Sequence, residues 1–206
     1  MFWLAVLVTV LTGYMLGNIN GAVSISVLFN DDVRTHGSGN AGLTNFVRNF
    51  GYTKAGFVIL IDVLKAVLAC YVGYLVMDGY HWSRESGMML GAIGVSLGHD
   101  YPALLGFRGG KGVLSGLAIA ATIDWRCAVL ILAVFVIAVL ISKFVSLGSI
   151  LGSSGFAVFF GLMYREQPVV MIGGIFLGLM VVFMHRGNIV RLIKGTERKF
   201  SFKKDK

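Results

Sequence analysis

Four polar segments rich in glycine, asparagine and basic residues interrupt an otherwise apolar chain, and their chemistry points at phosphate. They are HGSGNAGLTN (His36–Asn45), GHDYPALLGFRGGKG (Gly98–Gly112), KFVSLGS (Lys143–Ser149) and HRGNIVR (His185–Arg191). In the second, Gly109, Gly110 and Gly112 let backbone N–H groups approach an anion. Lys111 adds a point charge, and the helix that follows adds its dipole. This is not a Walker loop, because Leu105 stands where that pattern needs glycine and Gly112 where it needs Ser or Thr. In the first segment Gly37, Gly39 and Gly42 leave the backbone bare, while Ser38, Asn40, Thr44 and Asn45 offer short hydrogen-bonding groups. Arg48 lies three residues beyond Asn45 and reaches the same point if the segment turns helical; its guanidinium fork suits phosphate. In the fourth, His185, Asn188 and Arg191 recur every three residues, a spacing that puts imidazole, amide and guanidinium on one helical face. Ser146 and Ser149 are weaker signals, since serine is common at the ends of membrane helices. Taken singly, each segment also reads as an ordinary turn or a basic membrane exit; their joint presence is the argument for a site.

The elements that must position these groups are membrane helices. The 206 residues are 56% hydrophobic, with 28 Gly and only 2 Pro, and mean hydropathy is +0.80. That is too apolar for a soluble domain and matches helices packed in lipid through small residues. Apolar stretches fall at 2–29, 53–77, 86–105, 112–123, 126–142, 145–164 and 167–184. The expected fold is therefore all-α: a polytopic membrane protein of about seven transmembrane helices, one integral-membrane domain over 1–206 with a basic tail at 185–206. The first stretch has no basic residues ahead of it and is too long for a cleaved signal, so it reads as the first span. It contains Asn18 and Asn20, which predict a tilt or bend. The fourth is short for a full crossing. With seven spans, fourteen of the 18 Lys and Arg share one side with all four polar segments; Arg84, Arg126 and Arg165 lie opposite and Lys65 lies within a span. The positive-inside rule then places the C-terminus and the polar segments in the cytosol and the N-terminus outside. Asp62 and Lys65, at i and i+3 inside the second span, are expected to pair and to support the site, because an unpaired charge there costs about 2.5–3.5 kcal/mol. His36 and His81 read as surface residues, and Cys70 and Cys127 as inert core thiols. The tail's basic residues fix topology and lean on anionic membrane lipid; with no aromatic interleaving or known module, they give no case for nucleic acid.

The missing patterns narrow the chemistry. No histidine is followed five residues later by aspartate, as the H-x-x-x-x-D acyltransferase arrangement requires, and there is no G-x-S-x-G elbow. No dense set of aspartates stands ready for Mg²⁺, so neither a metal nor a cofactor is expected. A CDP-alcohol phosphotransferase would need an aspartate-rich helix, which is absent. A membrane transporter of a phosphorylated or anionic metabolite stays open as the alternative reading, although it predicts polar groups at mid-membrane, where only Asp62 and Lys65 qualify.

In this order the segments DVRTHGSGNAGLTNFVRNFG, DVLKA, GHDYPALLGFRGGKGV, VSLGSI and HRGNIVRLIKGTE resemble the PlsY family of bacterial acyl-phosphate:glycerol-3-phosphate acyltransferases over nearly the whole chain. The resemblance implies a seven-helix enzyme of the bacterial cell membrane with its active site facing the cytosol. Such an enzyme transfers a long-chain acyl group from acyl phosphate to the 1-position of sn-glycerol 3-phosphate, giving lysophosphatidic acid and phosphate. It also implies that residues matching Ser38, Arg48, Lys111, Ser146, His185 and Asn188 line the substrate site. Lys111, Arg48, His185 and Asn188 are the expected catalytic groups. Ser38, Gly39, Asn40, Thr44, Asn45, Gly109, Gly110, Gly112, Ser146 and Arg191 are the expected phosphate and substrate contacts. Three positions depart from the family pattern: Gly17–Asn20 reads GNIN where G-S-I-P is usual, Leu114–Ser115 replaces Ala-Thr, and DVLKA ends without the usual glycine.

Overall fold

In the computed structural model, which describes residues 1–200, the chain is helical, and among the described residues no strand occurs. It divides into two compact units, Met1–Ile123 and the chain from Asp124 onward. The first contains α1 (Phe2–Gly17), α2 (Gly21–Val27), α3 (Leu43–Phe50), α4 (Tyr52–Asp78), α5 (Arg84–Asp100) and α6 (Val113–Ile123). The second contains α7 (Trp125–Ser142), α8 (Val145–Met163), α9 (Pro168–Met184) and α10 (Arg186–Ile193).

Within the first unit α5 lies between α1 and α4, and its glycines explain how. A Cβ at Gly94 or Gly98 would strike the carbonyl of Val10 or Tyr14 on α1, and one at Gly91 would strike the carbonyl of Ala69 on α4. Gly73 and Gly87 stand in the same relation across α4 and α5. Lipid tails are as apolar as leucine, so such helices gain from close backbone approach and dispersion rather than from escaping water. The pairing order makes α5 parallel to α1 and antiparallel to α4. Twelve of the 17 residues of α5 are buried, so a helix containing Ser, His and Asp meets protein rather than lipid. Large apolar side chains point outward elsewhere, among them Leu7 and Leu11 on α1 and Leu64, Leu68 and Leu75 on α4.

The two ends of this unit differ. At one, Phe2 stacks edge-on or tilted against Trp3, Tyr80 and Trp82, the amphipathic rings found at membrane–water boundaries. At the other, Tyr14 donates to the Tyr101 carbonyl at 2.8 Å and Asn18 Oδ1 accepts from Leu104 N–H at 3.0 Å. The bend expected at Asn18 and Asn20 is present, as a break between α1 and α2. Asn20 caps α2 by accepting from Val23 N–H at 3.0 Å, so GNIN bends without proline. The expected apolar stretch 86–105 ends early, at Asp100, because Pro102 disfavours helix at Tyr101 and begins a short 3₁₀ turn, Ala103–Leu105. The 11 residues of α6 rise only about 16 Å.

In the second unit α8 packs on both α7 and α9, again through glycine. A Cβ at Gly174 would meet the Phe160 side chain, and one at Gly148 would come within 2.9 Å of the Phe135 carbonyl. Asp124 caps α7 through Arg126 N–H and accepts from Tyr164 Oη at 3.0 Å. α9 and α10 meet at 53°. By length and composition, four helical segments of the described residues can cross a membrane (Phe2–Val27, Tyr52–Asp78, Trp125–Ser142 and Val145–Met163), or five if α9 and α10 form one bent span.

The seam gives a direct test. Gly91→Val should sharply lower the thermal midpoint of the detergent-solubilised protein, because it forces backbone apart where overpacking alone costs about 1–3 kcal/mol. Gly116→Ala on α6, where a Cβ meets nothing within 4 Å, should leave the midpoint unchanged or raise it slightly, since alanine favours helix by about 1 kcal/mol.

Candidate functional site

The break between α1 and α2 leaves a carbonyl and an N–H without helical partners, and α4 supplies both. Lys65 Nζ donates to the Ile19 carbonyl at 2.8 Å and Asp62 Oδ1 accepts from Gly21 N–H at 3.2 Å. The two side chains pair with each other at 2.7 Å and are each about 3% exposed. Lys65 Nζ also lies 2.8 Å from His99 Nδ1 on α5. The expected intramembrane pair is therefore real, and it reaches a third residue, His99, that sequence reasoning left out.

The first polar segment folds as a loop clamped by Asn45. The Asn45 amide nitrogen lies 2.9–3.0 Å from the carbonyls of Val33, His36 and Asn40, and its oxygen accepts from Ser38 N–H at 3.1 Å. Asn45 is buried on α3 beside Phe46, which packs with Val33, Ala41, Ala22 and Val58. Asn45, expected among the substrate contacts, has its amide taken up in shaping the loop. Ser38, Gly39, Thr44 and Arg48 remain exposed. Gly37 and Gly39 take positive φ, +58° and +69°, which glycine adopts without strain. His36 sits at the surface with Nε2 2.8 Å from the Asp31 carboxylate.

The same end of this unit carries the second polar segment. Asn40 Nδ2 donates to the Gly109 carbonyl at 3.4 Å, and Arg34 donates to the Leu105 carbonyl at 3.0 Å while paired with Asp32 at 2.7 Å. Arg34's hydrogen bonds hold the Asp32 carboxyl below its ordinary range against a smaller opposing effect of burial. A depression of about 450 Å³ lined by Asp32, Arg34, Thr35, Leu105, Gly106 and Arg108 lies along this junction. Gly110 N–H donates to the His99 carbonyl at 3.0 Å. A Cβ at Gly109 would collide with that carbonyl, and one at Gly110 with the His99 ring. These two glycines are thus required by close packing as well as by any anion above them. Gly112, at φ +70°, turns the chain into α6, and half-buried Lys111 precedes it.

In the second unit the fourth segment is not one helical face. His185 is the joint between α9 and α10, with its N–H shared between the carbonyls of Val181 and Val182 and its Nδ1 2.8 Å from the Val181 carbonyl. A carbonyl only accepts, so Nδ1 carries a proton. Asn188 and Arg191 do share α10, and a residue absent from the expected site holds them there. Glu197 accepts from Asn188 Nδ2 at 2.7 Å and from Arg191 Nε at 2.6 Å. Burial would raise the Glu197 carboxyl, but the Ser146 hydroxyl, Asn188 and Arg191 outweigh it and hold it below its ordinary range. Ser146 is buried on α8, facing that carboxylate without a hydrogen bond of full geometry. The chain closes over this group where Phe200 N–H donates to the Lys143 carbonyl at 2.7 Å. The only hint of Glu197 in the sequence is that it faces a strongly basic tail almost alone.

Comparison with known proteins agrees in one direction. A family profile described as glycerol-3-phosphate acyltransferase matches residues 7–195. The glycerol-3-phosphate acyltransferase of Thermoanaerobacter sp. (strain X514) is 37% identical over 95% of this chain and 96% of its own. That of Clostridioides difficile (strain 630) is 37% identical over 97% of each. The crystal structure of PlsY, an integral membrane glycerol 3-phosphate acyltransferase, in its glycerol 3-phosphate form superposes with a TM-score of 0.85 at 29% identity, over 95% of this chain and 96% of that one. Its lysophosphatidic acid form gives 0.82, over 95% of each.

Two substitutions test these clamps. Asn45→Ala strips the first loop of its organiser and should destabilise the protein by about 1–3 kcal/mol, the cost of leaving buried polar groups unmatched, read as a lower thermal midpoint. For Glu197 the folded-state pKa is lowered, so its stabilisation is full above the unfolded value and lost as pH falls through the folded value. Midpoints measured from pH 7 down to pH 3 should fall less steeply in Glu197→Gln than in the unsubstituted protein.

Proposed function

Because the chain belongs to the PlsY family of integral-membrane glycerol-3-phosphate acyltransferases, we propose that it takes its acyl group from a long-chain acyl phosphate and places it on the 1-hydroxyl of sn-glycerol 3-phosphate. Acyltransfer to glycerol 3-phosphate sets it in phospholipid biosynthesis. The products are lysophosphatidic acid and phosphate. One observation carries the assignment of the phosphate grip: Asn40–Gly109 and Arg34–Leu105 bind the two glycine loops of the first unit to each other at one end, with Lys111 on the second loop.

Both substrates carry phosphate, so cations and bare N–H groups are the natural ligands. We assign Lys111 and the Gly109–Gly112 backbone, with Arg48, Ser38, Gly39, Asn40 and Thr44, to phosphate binding and to stabilising charge that develops in the transfer, commonly the largest catalytic contribution. His185, Asn188, Arg191 and Ser146 orient glycerol 3-phosphate, Asn188 and Arg191 being held ready by Glu197. The glycerol hydroxyl oxygen attacks the acyl carbon as the bond from that carbon to the phosphate oxygen breaks. The leaving phosphate accepts the hydroxyl proton, so the donor brings its own base. Nδ1–H of His185 is committed to the Val181 carbonyl, which fixes the ring's orientation. The transport reading loses its footing here, because Asp62 and Lys65 are consumed by each other and by the helix break.

In the membrane we place seven helical segments across or into the bilayer of a bacterial cell, as one integral-membrane domain with the N-terminus outside and both loops in the cytosol. α5 enters this count although its composition falls short of a lipid-facing span, since its surroundings are other helices. Single cysteines near Gly39 and Gly109 should be labelled only from the cytosolic side, and one near Gly79 only from outside; labelling of the first two from opposite faces would separate the loops. The corresponding expectation for Lys203 lies outside the described residues.

The reaction is tested with purified protein, glycerol 3-phosphate, and acyl phosphate, acyl-CoA or acyl carrier protein as donor, following lysophosphatidic acid. Acyl phosphate should support product formation, and thorough chelation with EDTA should leave the rate intact. Lys111→Ala should lower turnover by about 10²–10³, the scale of losing one charge-stabilising donor, and Lys111→Arg should recover little because a planar fork replaces a compact ammonium. Normal membrane yield with a near-normal rate for the alanine variant would remove Lys111 from the site.

A further inference from the structure

Lys65 has three acceptors at 2.7–2.8 Å, the Asp62 carboxylate, the Ile19 carbonyl and His99 Nδ1, and an ammonium has three N–H groups. One proton per acceptor satisfies all of them and makes His99 Nδ1 an acceptor. The ring proton of neutral His99 then sits on Nε2. That N–H is a donor with no acceptor among the described residues, on a side chain only 4% exposed. Nε2 itself is not fully buried, so its N–H keeps a small accessible surface. Its neighbour there is the glycine turn. A Cβ built on Gly110 would fall on Nε2, at 2.8 and 2.9 Å from Cε1 and Cδ2. Glycine at 110 thus lets the turn lie directly against the Nε2 edge of the ring, one residue before Lys111.

We infer that His99 is a further substrate-contacting residue, whose Nε2–H donates to a phosphate oxygen held at the Gly109–Gly112 turn, with Lys65 and Asp62 as positioning residues that fix the tautomer. This rests on the phosphate-binding reading of that turn. A carboxylate–ammonium–imidazole relay of this kind delivers a neutral donor with a set orientation, complementing the charge of Lys111 (a hydrogen bond to an ionised oxygen is also the stronger kind). The shared chemistry is a phosphate group, borne by glycerol 3-phosphate and by the acyl donor alike.

His99→Asn separates the two ends of the ring. The asparagine oxygen can replace Nδ1 as acceptor for Lys65, but nothing replaces Nε2–H. His99→Gln instead extends an amide nitrogen to the Nε2 position. With unsubstituted enzyme forming lysophosphatidic acid in the same assay, folded His99→Asn should lose about 10–100-fold in kcat/KM, the scale of one hydrogen bond to a charged group, and His99→Gln should regain much of it. The KM that rises, for glycerol 3-phosphate or for acyl phosphate, identifies the phosphate. An inactive unsubstituted enzyme would count against the acyltransfer reading itself. Normal kcat/KM in folded His99→Asn, or equal losses in both variants that track a lower thermal midpoint, would overturn the inference. Should His99→Asn not fold, unsubstituted protein labelled with ¹⁵N-histidine decides. Only four histidines are present, and an Nε2–H ring is distinguished from the Nδ1–H ring of His185 by its nitrogen shifts. The Nε2–H resonance should move when glycerol 3-phosphate or acyl phosphate is added to saturation; failure to move with either overturns the proposal.

Discussion

An ammonium group buried among membrane helices needs a counter-charge and an acceptor for each proton, and the arrangement around Lys65 meets both needs with groups that would otherwise be unsatisfied themselves. The Ile19 carbonyl and the Gly21 N–H are exposed by the break between α1 and α2; Lys65 and Asp62 on α4 close them. His99 on α5 takes the third proton. Three helices are thereby fixed against each other where α5 gives way to the second glycine loop. In a low-dielectric setting such a network is strong when complete and costly when one member is missing. The break in α1, the charge pair in α4 and the histidine of GHDYP are one structural decision distributed over 80 residues of chain.

Much of this was legible in the residues. Apolar runs located every long helix to within a few positions, because membrane helices must satisfy their backbone internally and so declare themselves by length and composition. Asn18 and Asn20 announced the bend, and the i, i+3 spacing of Asp62 and Lys65 announced their pairing. What stayed hidden depends on contacts between distant segments. Nothing local to Asn45 distinguishes a loop organiser from a ligand, since both roles use the same amide. His99 hides for a similar reason: its partner Lys65 is 34 residues away, and a lone histidine at a helix end has no period to reveal it. Glu197 sits beyond the last helix and acquires meaning only when the chain folds back toward Lys143. The spacing of His185, Asn188 and Arg191 described a helix correctly from Arg186 onward and missed that His185 itself is the bend.

Glycine in the two loops answers to two masters. At Gly37, Gly39 and Gly112 the backbone takes positive φ, and at Gly109 and Gly110 the neighbours leave no room for a Cβ. A substitution series confined to glycine would therefore report packing and turn geometry together with ligand contact. Arg48 and Ser38, both exposed, are cleaner probes of binding.

The glycine seam of α5 also bears on how the protein is made. A helix that begins with Arg84 and Glu85, ends with His99 and Asp100 and carries four glycines that face its neighbours is a poor candidate to partition into lipid alone. Its two packing partners, α1 and α4, both precede it in the chain and are apolar enough to enter first. When α5 leaves the ribosome, a groove of matching backbone is already in the membrane to receive it. Moving the coding order of these helices, as in a circular permutation that delivers α5 before α4, would ask the insertion machinery to accept the polar helix without its shelter, so the order of translation is itself part of what makes this fold attainable.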